Sequence, residues 1–332
     1  MILNSNFISI GVVFRNEARH LPSFFTGLEK ALSKGLQFEI LGYDNQSIDE
    51  SSEVFKNECL MRKWSVRVQK SPRNNMGQAR DWILKNSLTE LVYFIDVDVT
   101  PDTLTIQNLV RALNATASDP LICAAAGPLN VKVTNEFQNR LASLQQSWWG
   151  NFGSAQMKSS FSASYISHAP TAQLLVKRLA YLNAGSFNSA LDCSGEDLEI
   201  HWRLCKLKNK ILWVKDASAI HEVADSLRSW LKKSIKYGIA QTQIARLHPS
   251  FFFTIKCLPV WLFLLALFLL GESPQIFCIL FLIYIVSIVF TALRLQPRNF
   301  LYLTGLLFCT HLFYLFGEIF GLLRSPAAPT NP

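Results

Sequence analysis

The sequence has no cysteine pattern of the kinds that hold metals or staple small scaffolds. Its seven cysteines form no CxxC pair and show no spacing typical of metal ligands. We interpret them as free thiols that pack as small apolar residues. A disulfide scaffold and a structural zinc site are therefore not expected.

The first residues lack the pattern of a secretion signal. Met1 to Ser9 contain no basic segment followed by a cleavable apolar run. We therefore expect residues 1–250 to remain in the cytoplasm.

Acidic residues are absent between positions 226 and 271, although the same stretch is rich in basic ones. Its basic residues ahead of the apolar region are Arg228, Lys232, Lys233, Lys236 and Arg246. Because Leu227 and Trp230 share a face that the lysines largely avoid, residues 226–250 are predicted to form an amphipathic basic helix. Such a helix lies naturally on an anionic membrane surface. The formal net charge is +8, and the positive charge is tied to the membrane boundary. Nucleic-acid binding is therefore not expected.

Long apolar runs fill the last part of the chain. A membrane span needs about 20 residues to cross ~30 Å of hydrocarbon, and residues 251–271, 275–293 and 300–323 meet that requirement. Residues 251–323 are therefore predicted to form three transmembrane helices, followed by a short tail at 324–332. Buried helices of a soluble protein are the alternative.

The charges between these runs predict an orientation. Arg294 and Arg298 flank the second loop, whereas Glu272 is the charge of the first, so the second loop is expected on the cytoplasmic side. The predicted location is the plasma or inner membrane, multi-pass, with the N-terminal domain inside. Two ionisable residues of the third run, His311 and Glu318, are expected to pair with other spans or to contact a lipid head group. Glu318 is also placed near the outer interface, where water could hydrate it.

The N-terminal part alternates between short apolar runs and helical patterns. The strand-like runs lie at residues 7–14, 38–43, 66–69, 91–95 and 211–214. Strand and helix in alternation predict βαβ units, a mostly parallel sheet and a ligand site at the carboxyl ends of the strands. We therefore expect an α/β fold over residues 1–225. Residues 130–175 show no clear periodicity and are predicted to contain an acceptor-binding excursion.

Three aspartates follow the predicted strands. Asp44 follows the second, and Asp96 and Asp98 follow the fourth within the motif Asp-Val-Asp. Two neighbouring carboxylates repel and lose hydration when partly buried, so a divalent cation is needed to neutralise them. Mg²⁺ or Mn²⁺ accepts such oxygens together with substrate phosphates. A solvated loop or a helix cap is the alternative for an isolated motif of this kind.

Five short motifs in order resemble glycosyltransferase family 2, whose members have the GT-A fold. The motifs are RNE after the first strand, DNQSID after the second, NMGQARDW at the third helix, DVD after the fourth strand, and GED before a late helix. The resemblance covers roughly residues 7–225. It implies a membrane-anchored, bacterial-type member that takes a nucleotide-activated sugar.

The resemblance implies donor-binding roles for several residues. Glu17 and Asp44 match positions that contact the nucleoside, and Asp49 matches a further acid of the pattern. Carboxylates accept hydrogen bonds from ribose hydroxyls and base N–H groups. A helix-start residue, an Asx-turn and a helix cap are the respective alternatives.

The same resemblance assigns the diphosphate and metal ligands. Gly77 would permit a close backbone approach, and Arg80 would reach the diphosphate, with an exposed salt bridge to Asp81 or Glu90 as the alternative. Asp96 would face the sugar or ribose and contribute to the metal site. Asp98 would bind the metal, and His221 would complete its protein ligands unless it is a structural histidine.

The GED motif implies the catalytic carboxylates, Glu196 and Asp197. Inverting sugar transfer needs a base for the acceptor hydroxyl, and Asp197 is the predicted base. Both acids also suit a helix N-terminus without any catalytic role. Upstream, Ala184 stands before Gly185 where the family has a glycine pair, which leaves the shape of the sugar pocket open.

These observations predict a metal-dependent, membrane-bound glycosyltransferase. It would pass a sugar from a nucleotide-diphospho-sugar to a lipid, a lipid-linked acceptor or a glycan at the cytoplasmic membrane face. The segment RSWLKKSIKYG also resembles the family segment that helps to close over the donor. A nucleotidyltransferase acting on a sugar phosphate and a non-catalytic membrane scaffold with the same fold remain as alternatives.

Overall fold

The computed structural model describes residues 7–32, 35–151, 164–191 and 194–324. The described chain begins with an α/β domain and ends with a group of long helices. The strands are β1 (Phe7–Phe14), β2 (Gln37–Asp44), β3 (Val66–Lys70), β4 (Leu91–Ile95), β5 (Val99–Pro101), β6 (Ile122–Ala126), β7 (Leu129–Lys132), β8 (Tyr165–Ile166), β9 (Gln173–Lys177), β10 (Lys210–Trp213) and β11 (Ala219–Glu222).

Helices connect and follow these strands. They are α1 (Leu21–Ala31), α2 (Ser51–Met61), α3 (Met76–Asn86), α4 (Thr105–Ala115), α5 (Glu136–Gln145), α6 (Trp148–Asn151), α7 (Arg178–Asn183), α8 (Glu196–Lys206), α9 (Leu227–Leu247), α10 (Leu258–Glu272), α11 (Pro274–Leu295) and α12 (Phe300–Leu323). Short 3₁₀ turns at Pro249–Phe253, Ile255–Cys257 and Pro297–Asn299 join the last four helices.

The main sheet has the strand order β3-β2-β1-β4-β9-β6-β10-β8. β1 pairs in parallel with β2 and β4, β2 pairs in parallel with β3, and β9 runs antiparallel between β4 and β6. A small second sheet, β5-β11-β7, lies beyond the end of β4. The α/β prediction and the mostly parallel sheet are confirmed.

Helices cover both faces of the sheet because its central strands are apolar on both sides. In β4, Tyr93 packs into the core layer of α1, α2 and α4, while Phe94 packs into the layer of α3 and α8. All five residues of β4 are buried. Such a strand reads as a continuous apolar run, which is why it is visible in the sequence.

Several elements of the α/β domain were not predicted, including β6 of the main sheet as well as α5 and β9. α5 and β9 lie in the stretch expected to lack regular structure, and β9 is a buried member of the main sheet. β9 is only five residues long, and its pairing partners β4 and β6 are distant in sequence. Residues 152–163, within the predicted acceptor-binding excursion, lie outside the described residues.

The long helices α9 and α12 pack against each other through small residues. A Cβ at Gly317 would lie 2.2 Å from the carbonyl oxygen of Ile235, and a Cβ at Gly238 would lie 2.1 Å from that of Tyr314. Gly321 approaches Thr242 and Ile239 in the same way. Gly317 and Gly321 form a GxxxG pair, the spacing that lets two apolar helices come into backbone contact.

The three predicted spans coincide with three long apolar helices. Residues Ile255–Glu272, Pro274–Leu295 and Pro297–Leu323 are long and apolar enough to cross a membrane. The three helices differ in packing. In the most apolar stretch of each, 11% is buried in the first and second helices, whereas 39% is buried in the third.

Of the two ionisable residues of the third helix, one was expected differently and the other is confirmed. Glu318 is fully buried and lies close to the backbone amide of Val260 in the first turn of α10. Hydration of Glu318 at an outer interface is therefore wrong, because protein encloses this side of α12. His311 pairs as expected with a neighbouring helix, its Nδ1 lying 2.8 Å from the Tyr284 hydroxyl.

The helix contact predicts unequal effects of two glycine substitutions in α12. Gly317→Val would place its side chain against the Ile235 carbonyl, whereas Gly305→Val meets nothing within 4 Å. Overpacking of this kind costs about 1–3 kcal/mol, so the melting temperature in detergent should fall for Gly317→Val and stay near the parent value for Gly305→Val. Equal melting temperatures of the two variants would contradict this packing.

Candidate functional site

Carboxylates gather where β4 ends, between the two sheets. Asp96 directly follows β4, Asp98 precedes β5, and His221 of β11 pairs with Val99 of β5. Asp197 lies in the first turn of α8. The fields of Asp98, His221 and Asp197 all act on Asp96, so these four predicted residues do come together.

Asp98 and His221 form a pair whose carboxylate is accessible to solvent. Nε2 of His221 lies 3.5 Å from Oδ2 of Asp98, and 41% of the Asp98 side chain is exposed. Burial would raise the pKa of Asp98, but His221 and Lys233 more than offset it and hold the pKa below its ordinary value. An ionised carboxylate and an imidazole nitrogen thus face the same space.

Arg80 is a buried link between two of the predicted carboxylates. Its Nη2 lies 3.2 Å from Oδ1 of Asp96, and its Nη1 pairs with Oε1 of Glu196, while only 4% of the residue is exposed. The alternative of an exposed salt bridge to Asp81 is wrong, since Asp81 pairs with Lys85. Arg80 therefore joins the end of β4 to the start of α8.

This link separates the roles of the paired acids. Glu196 is buried and its carboxylate is held by Arg80, so it serves as a fixed counter-ion of the site. Burial and the neighbouring Asp98 raise the pKa of Asp96, while Arg80 opposes the rise. Asp96 therefore offers less negative charge to a ligand than Asp98 does.

Asp197 faces the same cleft with a histidine that sequence reasoning missed. Nε2 of His168 lies 3.9 Å from Oδ1 of Asp197, and this nitrogen has no hydrogen-bond partner among the described residues. Burial alone would raise the pKa of Asp197, but His168, Arg80 and His201 hold it well below its usual range. His168 stands in a stretch without periodicity, so no pattern pointed to it.

Two further residues of the site come from α9. Lys233 lies close enough to Asp98 to lower its pKa. Burial and the charges of Asp197, Asp98 and Asp96 raise the pKa of Tyr237 to about 12, although 42% of the residue is exposed. Lys233 and Tyr237 are four positions apart and so share a helix face. Lys233 was predicted to lie in a basic helix at the membrane surface, within the segment that resembles the donor-closing segment of the family, and its effect on Asp98 agrees with the second of these expectations.

The predicted nucleoside-binding acids are mostly engaged by their own loops. Asp44 is fully buried, and its two oxygens accept hydrogen bonds from Ser47 N and Ser52 Oγ, both at 2.7 Å. Asp49 accepts from Ser51 N at 3.1 Å at the start of α2. These are the turn and cap roles given as alternatives, and the described Asp44 has no exposed oxygen for a nucleoside.

Glu17 is the member of this group that lies close enough to Asp98 to be influenced by its charge. Burial raises the pKa of Glu17, and Asp98 and Asp49 add to the rise against the effect of His20. Its Oε2 lies 2.7 Å from Nδ1 of His20. Glu17 therefore stays a candidate for donor contact.

Gly77 permits a close approach, but to another part of the same chain. A Cβ at this position would lie 2.1 Å from the carbonyl oxygen of Asn188. Asn75, which caps α3, donates to the Ser189 carbonyl at 2.9 Å. Gly77 thus lets α3 pack under the loop that leads to α8, which supports the position of Arg80 indirectly.

Two family models match the chain. "Glycosyl transferase family 2" matches residues 9–170, and "Glycosyl transferase family group 2" matches residues 91–316. A curated relative, the pre-mycofactocin glycosyltransferase of Mycobacterium tuberculosis, is 24% identical over 244 residues, 73% of this chain. The aligned part is 48% of that relative, so the chain matches about half of its length.

Solved structures share the fold. The mannosyltransferase PcManGT of Pyrobaculum calidifontis, in complex with GDP-Man and Mn²⁺, aligns with a TM-score of 0.59 at 14% identity, over 94% of this chain and 88% of its own. TarS 1-349 of S. aureus, in complex with UDP-GlcNAc, aligns with a TM-score of 0.54 at 14% identity, over 95% and 90%.

Because Arg80 is buried and Lys85 is exposed, we predict that Arg80→Met destabilises the protein more than Lys85→Met does. Arg80→Met would leave the buried Glu196 without its cation, a loss of about 3–5 kcal/mol for a broken buried pair. Lys85→Met removes the partner of Asp81 from an exposed pair worth at most about 1 kcal/mol. Thermal melting in detergent should show a large drop for Arg80→Met alone, and similar curves would argue against the buried link.

The order of the strands, the converging acids and both family models lead to one assignment: the chain belongs to glycosyl transferase family 2, and its N-terminal domain has the GT-A fold.

Proposed function

We propose that the protein transfers a sugar from a nucleotide-diphospho-sugar to an acceptor at a membrane surface, with a divalent cation held at Asp98 and His221. The observation that carries this proposal is the convergence of Asp98, His221 and Asp197 on one cleft beneath α9. Family membership and relatives with bound GDP-Man or UDP-GlcNAc support the choice of donor.

The chemistry of the pair fits a divalent cation. One carboxylate and one imidazole are too few to enclose a metal, and the described residues contain no group of three or more candidate ligands. Mg²⁺ and Mn²⁺ commonly take one or two protein ligands and fill the remainder with water and substrate phosphates. When bound there, the cation would neutralise charge on the departing nucleoside diphosphate.

Asp197 is the residue that can accept the acceptor's proton. Its depressed pKa keeps the carboxylate ionised, and an ionised carboxylate is the form able to act as a base. In the proposed reaction the acceptor oxygen bonds to the anomeric carbon, the bond from that carbon to the diphosphate breaks, and Asp197 takes the hydroxyl proton. Glu196 and Arg80 fix the helix start on which Asp197 stands.

The α9 face above the cleft supplies positive charge and a hydroxyl group. Lys233 is near Asp98, where it would meet the diphosphate of a bound donor. Tyr237 is near all three aspartates and can donate to a phosphate or a sugar oxygen. Because the other side of α9 packs on the apolar α12, an acceptor reaching this cleft comes from the vicinity of the membrane.

The metal assignment predicts the loss of Mn²⁺-dependent donor binding in Asp98→Asn. A ligand at 100 times its dissociation constant stabilises a protein by about 2.7 kcal/mol, so a nucleotide-sugar plus Mn²⁺ should raise the melting temperature of the parent. Asp98→Asn should lose this rise, whereas Asp81→Asn, whose partly exposed carboxylate pairs with Lys85, should keep it. A full Mn²⁺-dependent rise in Asp98→Asn would place the cation elsewhere.

The base assignment predicts a different defect in Asp197→Asn. General-base catalysis contributes typically about 10²–10⁴-fold, so release of nucleoside diphosphate with membrane lipid extract as acceptor should fall by that order. Donor and Mn²⁺ should still raise the melting temperature, since the Asp98 pair is intact. Unchanged turnover in Asp197→Asn would refute the role, and release of pyrophosphate from a nucleoside triphosphate by the parent would indicate a nucleotidyltransferase.

A further inference from the structure

Both ends of α9 are held by the same N-terminal domain. Before its start, Asn135 Nδ2 donates to the carbonyl of Asp225 at 3.1 Å. Just beyond its end, Nε2 of His248 lies 2.6 Å from Glu199 of α8. A helix whose two ends touch one charged, water-facing domain runs along that domain and does not cross a membrane.

α12 runs beside α9 in the same direction. Trp230 Nε1 donates to Thr310 Oγ1 at 2.8 Å, and Gly238 lies against the Gly317 backbone further along. Beyond these, Arg246 Nη1 donates to the carbonyls of Leu322 and Arg324 at 3.1 Å. The contacts advance together along both helices over about 20 Å of α12, at 1.5 Å per residue.

The beginning of α12 is also tied to the N-terminal domain. Gln296 Nε2, just before it, donates to Ser143 Oγ of α5 at 2.7 Å. Leu303 and Leu306 share a core cluster with Leu144 of α5. If α12 crossed the bilayer, α9 and the ion pair between Glu199 and Arg203 of α8 would be carried to the level of the hydrocarbon, where charged groups are costly.

We propose that α12 lies along the membrane surface, between the catalytic domain and the lipid, and that within the described part of the chain only α10 and α11 cross the membrane. The partner of α12 is the bilayer itself. The face turned away from α9 carries exposed apolar side chains at helical spacing, namely Leu301, Phe308, Phe316, Phe320 and Leu323. A helix with one such face and one face against a soluble domain suits the bilayer surface.

The hairpin of α10 and α11 leaves the domain and returns to it. Cys257 and Val260, where α10 begins, pack with Phe251 and Ile244 next to the domain. α11 ends at Leu295, beside the Gln296 contact to α5. The 22 residues of α11 and the 18-residue segment Ile255–Glu272 that contains α10 are both long and apolar enough to cross a membrane. Arg294 and Arg298 then lie on the domain's side, as the distribution of basic residues favours.

The proposal places Arg324, the last described residue, on the side of the catalytic domain. Three crossings would place it on the opposite side. The proposal shares with the proposed function only the membrane location, and it does not depend on the chemistry of Asp98 or Asp197. Topology and sugar transfer are measured separately, so failure of one is distinguishable from failure of the other.

The test uses short epitope tags in the full chain, expressed in a bacterial inner membrane. One tag is inserted between Glu272 and Ser273 at the hairpin tip, one after Arg324, and one after Lys208 in an exposed turn of the catalytic domain. Antibody binding is compared in intact and permeabilised spheroplasts. We expect the hairpin tag to be detected in intact spheroplasts, and the other two only after permeabilisation.

Each outcome decides one part of the proposal. Detection of the Arg324 tag in intact spheroplasts would show a third crossing and overturn the surface position of α12. Protection of the hairpin tag would overturn the crossing by α10 and α11. Unchanged thermal melting of each tagged protein in detergent verifies that the insertion leaves the fold intact.

A second measurement tests the lipid contact directly. A photoreactive phenylalanine analogue is placed at Phe320 on the exposed face of α12, and in a matched variant at Leu88, an exposed residue of the α/β domain. After reconstitution into phospholipid vesicles and irradiation, lipid adducts are expected at Phe320 and not at Leu88. Absence of lipid adducts at Phe320, or equal adducts at both positions, would overturn the assignment of this face to the bilayer.

Discussion

The site depends on one buried cation, Arg80, between the buried carboxylate of Glu196 and the partly exposed carboxylate of Asp96. Arg80 holds Asp96 at the end of β4 and Glu196 at the start of α8, two elements about a hundred positions apart in sequence. Without that charge the buried Glu196 would have to leave the interior or take up a proton. With it, Asp197 is held at the edge of the cleft on a fixed helix start, while His221 and Lys233 keep Asp98 charged for a ligand. The different roles of these acids follow from the pairing of Arg80 with Asp96 and Glu196.

The sequence predicted the fold well because local signals there agree with long-range packing. β1 and β4 have the predicted bounds, and their apolar runs are buried on both faces. β9 and α5 were missed because β9 depends on partners far away in the chain, and no local pattern reports an antiparallel insertion into a parallel sheet. The family assignment, which rested on five short motifs, is confirmed by a model matching residues 91–316.

The candidate site could be predicted only as a set of acids, and their individual roles could not. Asp98, His221 and Asp197 do meet, yet nothing in the sequence distinguishes Asp44, whose oxygens are used by its own loop, from an acid that faces a ligand. Arg80 was expected to be exposed or on the diphosphate because burial is not visible in a polar helical pattern. His168, Lys233 and Tyr237 join the site from segments with other apparent roles. The GxxxG spacing of Gly317 and Gly321 is visible in the sequence, but only the structure identifies α9 as the helix that packs against it.

α9 carries site residues on one side and a backbone-to-backbone helix contact on the other. Lys233 and Tyr237 therefore share a rigid body with Gly238, whose missing side chain lets α12 approach. If α12 lies on the bilayer surface as proposed, a change in lateral pressure or lipid packing that tilts α12 also moves Lys233 and Tyr237 relative to Asp98. Lipid composition would then regulate the turnover rate, because a tilt of α12 would be transmitted to the site through α9.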